Sequence, residues 1–130
     1  MSAPIVFISH FRVIEGGLEG LRRLSKEVTG SLAQEKPRTL VFLQYLDVEA
    51  ARMTIVHAFA DAESMDQHFE GAMERAQAAY EYIQPDGWEI YGTPSDAALE
   101  AMRRSATAAA VPLAVSPDYI GGFLRLAPAS

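Results

Sequence analysis

Three imidazoles, the guanidinium of Arg75 among nine arginines, and a handful of aromatic rings are the groups in this 130-residue chain that stand out as able to do chemistry. There is no cysteine, which removes thiolate nucleophiles, disulfides, iron–sulfur clusters and thiolate zinc sites together. A histidine can serve as a base near neutral pH or hydrogen-bond a phenol. His68 lies in "AFADAESMDQHFEGAMERA" (58–76), which begins as a strand end and continues as an amphipathic helix. At about 100° per residue, its position is roughly a quarter-turn from the centre of the apolar stripe, near Phe69 and Ala76. It shares that flank with Arg75 and Tyr82, seven residues apart in turn. A row bordering the core is where a pocket between helix and sheet would open, making His68 a candidate base and Tyr82 a candidate ligand contact. The competing reading is a half-solvated boundary residue.

His57 is mid-strand in "TIVHAF", on the side of Met53, Ile55 and Phe59. A buried imidazole needs partners for both nitrogens, supplied by a ligand, a neighbouring strand or a second copy. His10 shares a face with Val6, Ile8 and Arg12 and poses the same choice. No two histidines have the i, i+2 or i, i+4 spacing that delivers two ligands from one element, so no metal site is expected. Tyr45, Tyr91 and Trp88 could wall an aromatic ligand or simply belong to the core. Neither glycine pair sits in a phosphate-binding arrangement, and no dinucleotide fingerprint or nucleophile elbow is present.

The elements that must position these groups follow from periodicity. Residues 4–14, "PIVFISHFRVI", read as a strand apolar on both faces, and "EGG" ends it. Leu18, Leu21, Leu24, Val28 and Leu32 mark a helix from 18 to about 34. "TLVFLQYLD" (39–47) and "RMTIVHAFA" (52–60) are two strands joined closely enough for a hairpin. Asp61 is an N-cap, and Met65, Phe69, Ala72, Met73, Ala76, Tyr80 and Ile83 form the expected buried stripe of one long helix. "QPDG" (84–87) reads as a turn, "WEIYG" (88–92) as the fourth strand, and "TPSD" (93–96) as the start of a helix to about 106. Residues 113–126 read as an extended arm.

This order predicts one α+β domain over 1–130, a ferredoxin-like βαββαβ unit with a four-stranded antiparallel sheet, and 95–130 as a C-terminal extension. Helices would cover one sheet face. The other, apolar and uncovered, predicts a homodimer. Net charge of −6 with no basic cluster argues against nucleic acid. No apolar run approaches the roughly 20 residues of a membrane span, and "MSAPIVFISHFRV" lacks the basic segment of a secretory signal, so a cytoplasmic protein is expected.

"HAFADAESMDQHF" resembles the Tyr-Ala-Asp-x-x-Ala-x-x-x-His-Leu stretch of the antibiotic biosynthesis monooxygenase-like family, within the dimeric α/β-barrel superfamily. Asp61 and His68 match, while Phe59 and Ser64 stand where the pattern has tyrosine and alanine. "FRVIEGGLEGL" (11–21) and "EIYGTPSDAALEAM" (89–102) are similar to the first-strand exit and to the passage after the second helix. The resemblance implies a cofactor-independent monooxygenase acting on a small aromatic, quinol or polyketide-like compound. His68 would then be the base, Arg75 would steady negative charge, and Tyr45 or Trp88 would form walls. Well-described oxygenating and haem-degrading members use an asparagine and a tryptophan. This chain has no asparagine and only Trp88, which disfavours haem and requires other residues in those roles. A non-catalytic dimer binding a small apolar ligand is the alternative, and an isomerase or lyase on the same scaffold the third.

Overall fold

The computed structural model describes residues 3–125, 127 and 128. Its elements are β1 (Ile5–Val13), α1 (Leu18–Glu35), β2 (Thr39–Asp47), β3 (Arg52–Phe59), α2 (Ala62–Phe69), α3 (Ala72–Ala79), β4 (Ile83–Tyr91), α4 (Asp96–Ala109) and β5 (Leu113–Ser116). The strands run in the order β2-β3-β1-β4-β5. The first four are antiparallel, as expected, but β5 adds to β4 in parallel, so the sheet is five-stranded and mixed rather than four-stranded. Part of the expected arm is therefore a strand. Its position explains why: Leu113 and Val115 pack against the core around Trp88 and Ile90.

The expected single helix after Asp61 is two. Glu70 leaves α2 with an extended backbone (ψ 125°) and Gly71 starts α3 at φ +78°, a left-handed conformation that glycine adopts without a Cβ penalty. The break rotates α3 out of the expected stripe, leaving Met73 and Tyr80 exposed. "QPDG" is not a turn either. Phe11 pairs with Pro85 and His10 with Gly87, so Asp86 is the extra residue of a β-bulge inside β4. A bulge tolerates a proline and a glycine that would argue against a regular strand.

Alternation sorts the strands into two faces. Ile5, Phe7, Phe11, Met53, His57, Phe59, Trp88 and Ile90 point under the helices and are buried. Their core has two centres: one around Phe7, Phe59, Met65 and Ile90, the other around Phe11, Leu21, Met53 and Ile83. Val6, Ile8, Val41, Leu43, Tyr45 and Val56 lie on the opposite face, by register, and no element of the described residues covers it. Leu43 and Tyr45 are about half exposed there. Beyond β5 the chain has no regular structure through residue 125, and Ile120, Phe123 and Leu124 are exposed. Leu126, at the end of the expected arm, and Met1–Ser2, in the segment considered as a leader, lie outside the described residues. No helix among them is long and apolar enough to cross a membrane.

Candidate functional site

The site is assembled where the second turn of α2 meets the start of β2 and the end of β3. Asp61 caps α2: its carboxylate accepts from the Ser64 amide at 2.8 Å and the Ser64 hydroxyl at 2.6 Å, and Arg38 pairs with it at 3.3 Å. Those bonds hold the Asp61 carboxyl below the usual carboxylate range, the Ser64 hydroxyl contributing most. Capping sets the phase of the helix, and that phase turns His68 inward rather than along a solvated flank. The ring is buried, at 4% exposure, so the boundary reading does not describe it.

His68 Nδ1 lies 2.7 Å from the Thr39 hydroxyl. Its ring meets that of His57 edge to face, with centroids 5.0 Å apart. His57 is itself buried, and its Nδ1 is 3.0 Å from the Phe7 carbonyl oxygen. A carbonyl only accepts, so a neutral His57 carries its proton on Nδ1 and its lone pair on Nε2. The Thr39 hydroxyl can donate or accept, so His68 is free to present either a lone pair or an N–H on its other nitrogen. Phe42 and Phe59 flank both rings, with Phe7 against His57 and Phe69 against His68.

This aromatic enclosure keeps both imidazoles neutral. Burial pushes His57 down to about 4, with the Phe7 carbonyl partly opposing it. Burial also pushes His68 down to about 3, helped by repulsion from His57, Arg75 and Lys36. Loss of hydration penalises the charged form, and no carboxylate offsets that penalty for either ring.

Arg75 does come near His68, as their shared row predicts, but by another route. Its guanidinium donates to the backbone carbonyls of His68 at 2.6 Å and Glu70 at 3.1 Å, spanning the α2–α3 break. Partial burial lowers its pKa. Lys36 similarly donates to the Gln67 carbonyl at 2.8 Å. Both cations thus close the C-terminal end of α2, where they complement the helix dipole. Above His68 a cleft of about 160 Å³ opens between the end of α1, the start of β2 and α2, bordered by Thr39, Ser64 and Gln67 and by the charged side chains of Glu35, Lys36, Arg38 and Glu70.

The other sequence candidates are elsewhere. His10 and Tyr45 lie on the uncovered sheet face, away from the helices. Tyr82 is in the turn before β4, beside Gly20 and the lower core, because the expected helix ended earlier. Trp88 is buried in the upper core on the helix side and makes no ring contact with either imidazole among the described residues. Sequence reasoning missed Thr39, Lys36 and the four phenylalanines. The Phe7–His57 cross-strand pair was accessible from strand register, but nothing in sequence ties Thr39 to a histidine 29 residues later.

No family model matches the sequence, and no curated protein sequence does. Solved structures match closely in shape. MupZ from Pseudomonas fluorescens has a TM-score of 0.71 at 13% identity, covering 99% of this chain and 100% of that one. A proposed antibiotic biosynthesis monooxygenase from Caulobacter crescentus has a TM-score of 0.60 at 12% identity, covering 68% and 88%. SnoaB, a cofactor-independent oxygenase from Streptomyces nogalater, has a TM-score of 0.59 at 10% identity, covering 72% and 96%. The fold is that of the antibiotic biosynthesis monooxygenase-like proteins. Likeness at such identities concerns backbone shape.

Proposed function

We propose that this chain is a cofactor-independent monooxygenase for a small aromatic or quinol substrate, acting as a cytoplasmic homodimer. One observation carries the reading: a neutral His68, backed by Thr39 and His57 and packed on its buried side against phenylalanine rings, lines a cleft whose rim is polar and charged. The cleft's volume of about 160 Å³ is close in size to the roughly 150 Å³ of an engineered cavity that admits benzene, but its rim is polar and charged, which suits a phenol or quinol and not a bare hydrocarbon. The size favours a single ring over a fused polyketide. In the proposed reaction His68 takes the proton from a substrate O–H, leaving the electron pair on oxygen. The anion then passes one electron to dioxygen, and the two radicals combine into a carbon–oxygen bond. The imidazolium returns its proton to the peroxide. Loss of the hydrogen on that carbon with cleavage of the O–O bond leaves one oxygen as a carbonyl and releases the other as water. An imidazole at about 3 is a weak base alone, but an adjacent substrate anion favours its protonated form. Arg75 and Lys36 act on that anion at a distance, since their guanidinium and ammonium groups already hold carbonyls. The solved oxygenase of similar shape supports the class of chemistry. The uncovered apolar sheet face supports the dimer.

The same engagement of Arg75 with backbone favours a second reading, a dimer that binds a small aromatic ligand without turning it over. Oxygen uptake with a panel of quinols, wild type against His68→Ala, separates the two. The oxygenase reading expects uptake that His68→Ala abolishes. Equal rates remove His68 from the mechanism, and binding without uptake leaves the second reading.

A further inference from the structure

The sheet face turned away from the helices is not uniformly apolar. At its centre Glu89 accepts from the Tyr91 hydroxyl at 2.5 Å on one carboxylate oxygen and meets the His10 Nε2 on the other. The second ring nitrogen of His10 faces the Thr54 hydroxyl at 3.4 Å. Every polar atom of the imidazole and the carboxylate is therefore matched within the face. Groups that remain in water need no such closure. A network satisfied from within is suited to burial against a dry surface. Around it lie Val6, Ile8, Val41, Leu43, Tyr45 and Val56.

Charge identifies the occupant. The charged groups facing His10 are Arg12 on its own strand, Arg52 on β3, and Asp86 and Glu89 on β4, with Tyr45 and Tyr91 as neutral phenols. Asp86 holds both arginines, Arg52 at 3.0 Å and Arg12 at 3.8 Å. Asp47, opposite Arg52 at the end of β2, is the remaining charge. Three acids against two arginines leave the face one charge negative when His10 is neutral, and balanced when it is protonated. The whole chain carries −6. On a molecule that repels its own kind, this is a face where two copies can meet without repulsion.

We propose that a second copy of this chain packs on this face, and that each His10 takes up a proton from solvent as it does so. Self-association then tightens as pH falls. The inference rests on the homodimer reading and adds the proton to it. Its physical reason is desolvation: Glu89 buried alone leaves an uncompensated charge, whereas Glu89 beside an imidazolium is paired and hydrogen-bonded. The Tyr91 hydroxyl, and after it His10, hold the Glu89 carboxyl below its usual range, so the group that faces the imidazole is an anion.

Sedimentation equilibrium of the full chain at fixed ionic strength, at about pH 8, 7 and 6, tests this with wild type, His10→Gln, Glu89→Gln and Leu43→Asp. One pKa unit gained per imidazole on association corresponds to about tenfold per site, so the wild-type Kd is expected to fall at least about tenfold across the range. His10→Gln and Glu89→Gln are expected to dimerise with at most about a twofold change, the residue of general charge reduction. Leu43→Asp is expected to be monomeric. A dimer whose wild-type Kd ignores pH, or a His10→Gln dimer with the wild-type slope, overturns the proton linkage and leaves the homodimer standing. A dimer that survives Leu43→Asp overturns the choice of face. A monomeric wild type at every pH overturns both the inference and the reading beneath it.

Discussion

His57 and His68 are expected to make this protein acid-labile at a pH where carboxylates are still ionised. In the unfolded chain both rings take up protons as pH falls below an ordinary imidazole value of about 6.5. In the folded chain they resist until about 4 for His57 and about 3 for His68. A group with a depressed folded pKa supplies its full stability above the unfolded value and loses it as pH falls toward the folded one. Each ring therefore costs about 1.4 kcal/mol per pH unit within that window, and the two together about 2.7 kcal/mol. The rings are only 5% and 4% exposed, so solvent screening takes little from this. From pH 6.5 to 4.5 the loss reaches about 5 kcal/mol, comparable to the whole net stability of a small domain. The assay is urea unfolding followed by Trp88 fluorescence at one protein concentration, at about pH 7.5, 6 and 5, for wild type and His68→Phe. The variant keeps the aromatic surroundings and removes one titration. The difference between their slopes reports His68 together with its repulsion of His57, since the two rings are 5.0 Å apart and titrate as a pair. The variant is expected to show about half the wild-type slope between pH 6 and 5. Equal slopes would mean that His68 is already hydrated or charged in the folded protein, refuting the neutral-cage argument and the base assigned from it.

The α2 cap and the glycines give sharper structural tests. Asp61→Ala removes the acceptor for the Ser64 amide and hydroxyl and the partner of Arg38, and is expected to cost about 1 kcal/mol in urea unfolding at neutral pH. Gly92 has φ +104°, and a Cβ there would stand 2.8 Å from the Pro4 carbonyl oxygen; Gly92→Ala should lose about 2 kcal/mol or more in the same assay. Gly30, inside α1, has open space where its Cβ would be, so Gly30→Ala should gain about 0.5–1 kcal/mol.

What could be read along the chain was short-range. Runs of β-branched and aromatic residues placed β1, β2 and β3 within a residue of their bounds, the Leu18–Leu32 spacing placed α1, and Asp61 marked the start of α2, whereas the cap of α4 is Ser95 rather than the Thr93–Pro94 start that "TPSD" suggested. These signals survive folding because each depends on a repeat or a cap contained in a few neighbouring residues. The α2–α3 break was hidden because the apolar period runs through it, while Gly71 changes direction by a dihedral that composition does not display. Strand β4 was shortened because Pro85 and Gly87 signal a turn, and only pairing with β1 converts that turn into a bulge. The parallel edge strand was invisible for a similar reason, since its partner is 25 residues away. The site depended most on tertiary structure. Sequence nominated His68 and His57 separately, and their chemistry was settled by contacts across 29 and 50 residues, with the Thr39 hydroxyl and the Phe7 carbonyl. Periodicity says which way a ring points, but desolvation and the partner of each nitrogen arise only when distant strands and a helix close over it, and those decide whether an imidazole is charged, neutral or poised to accept a proton.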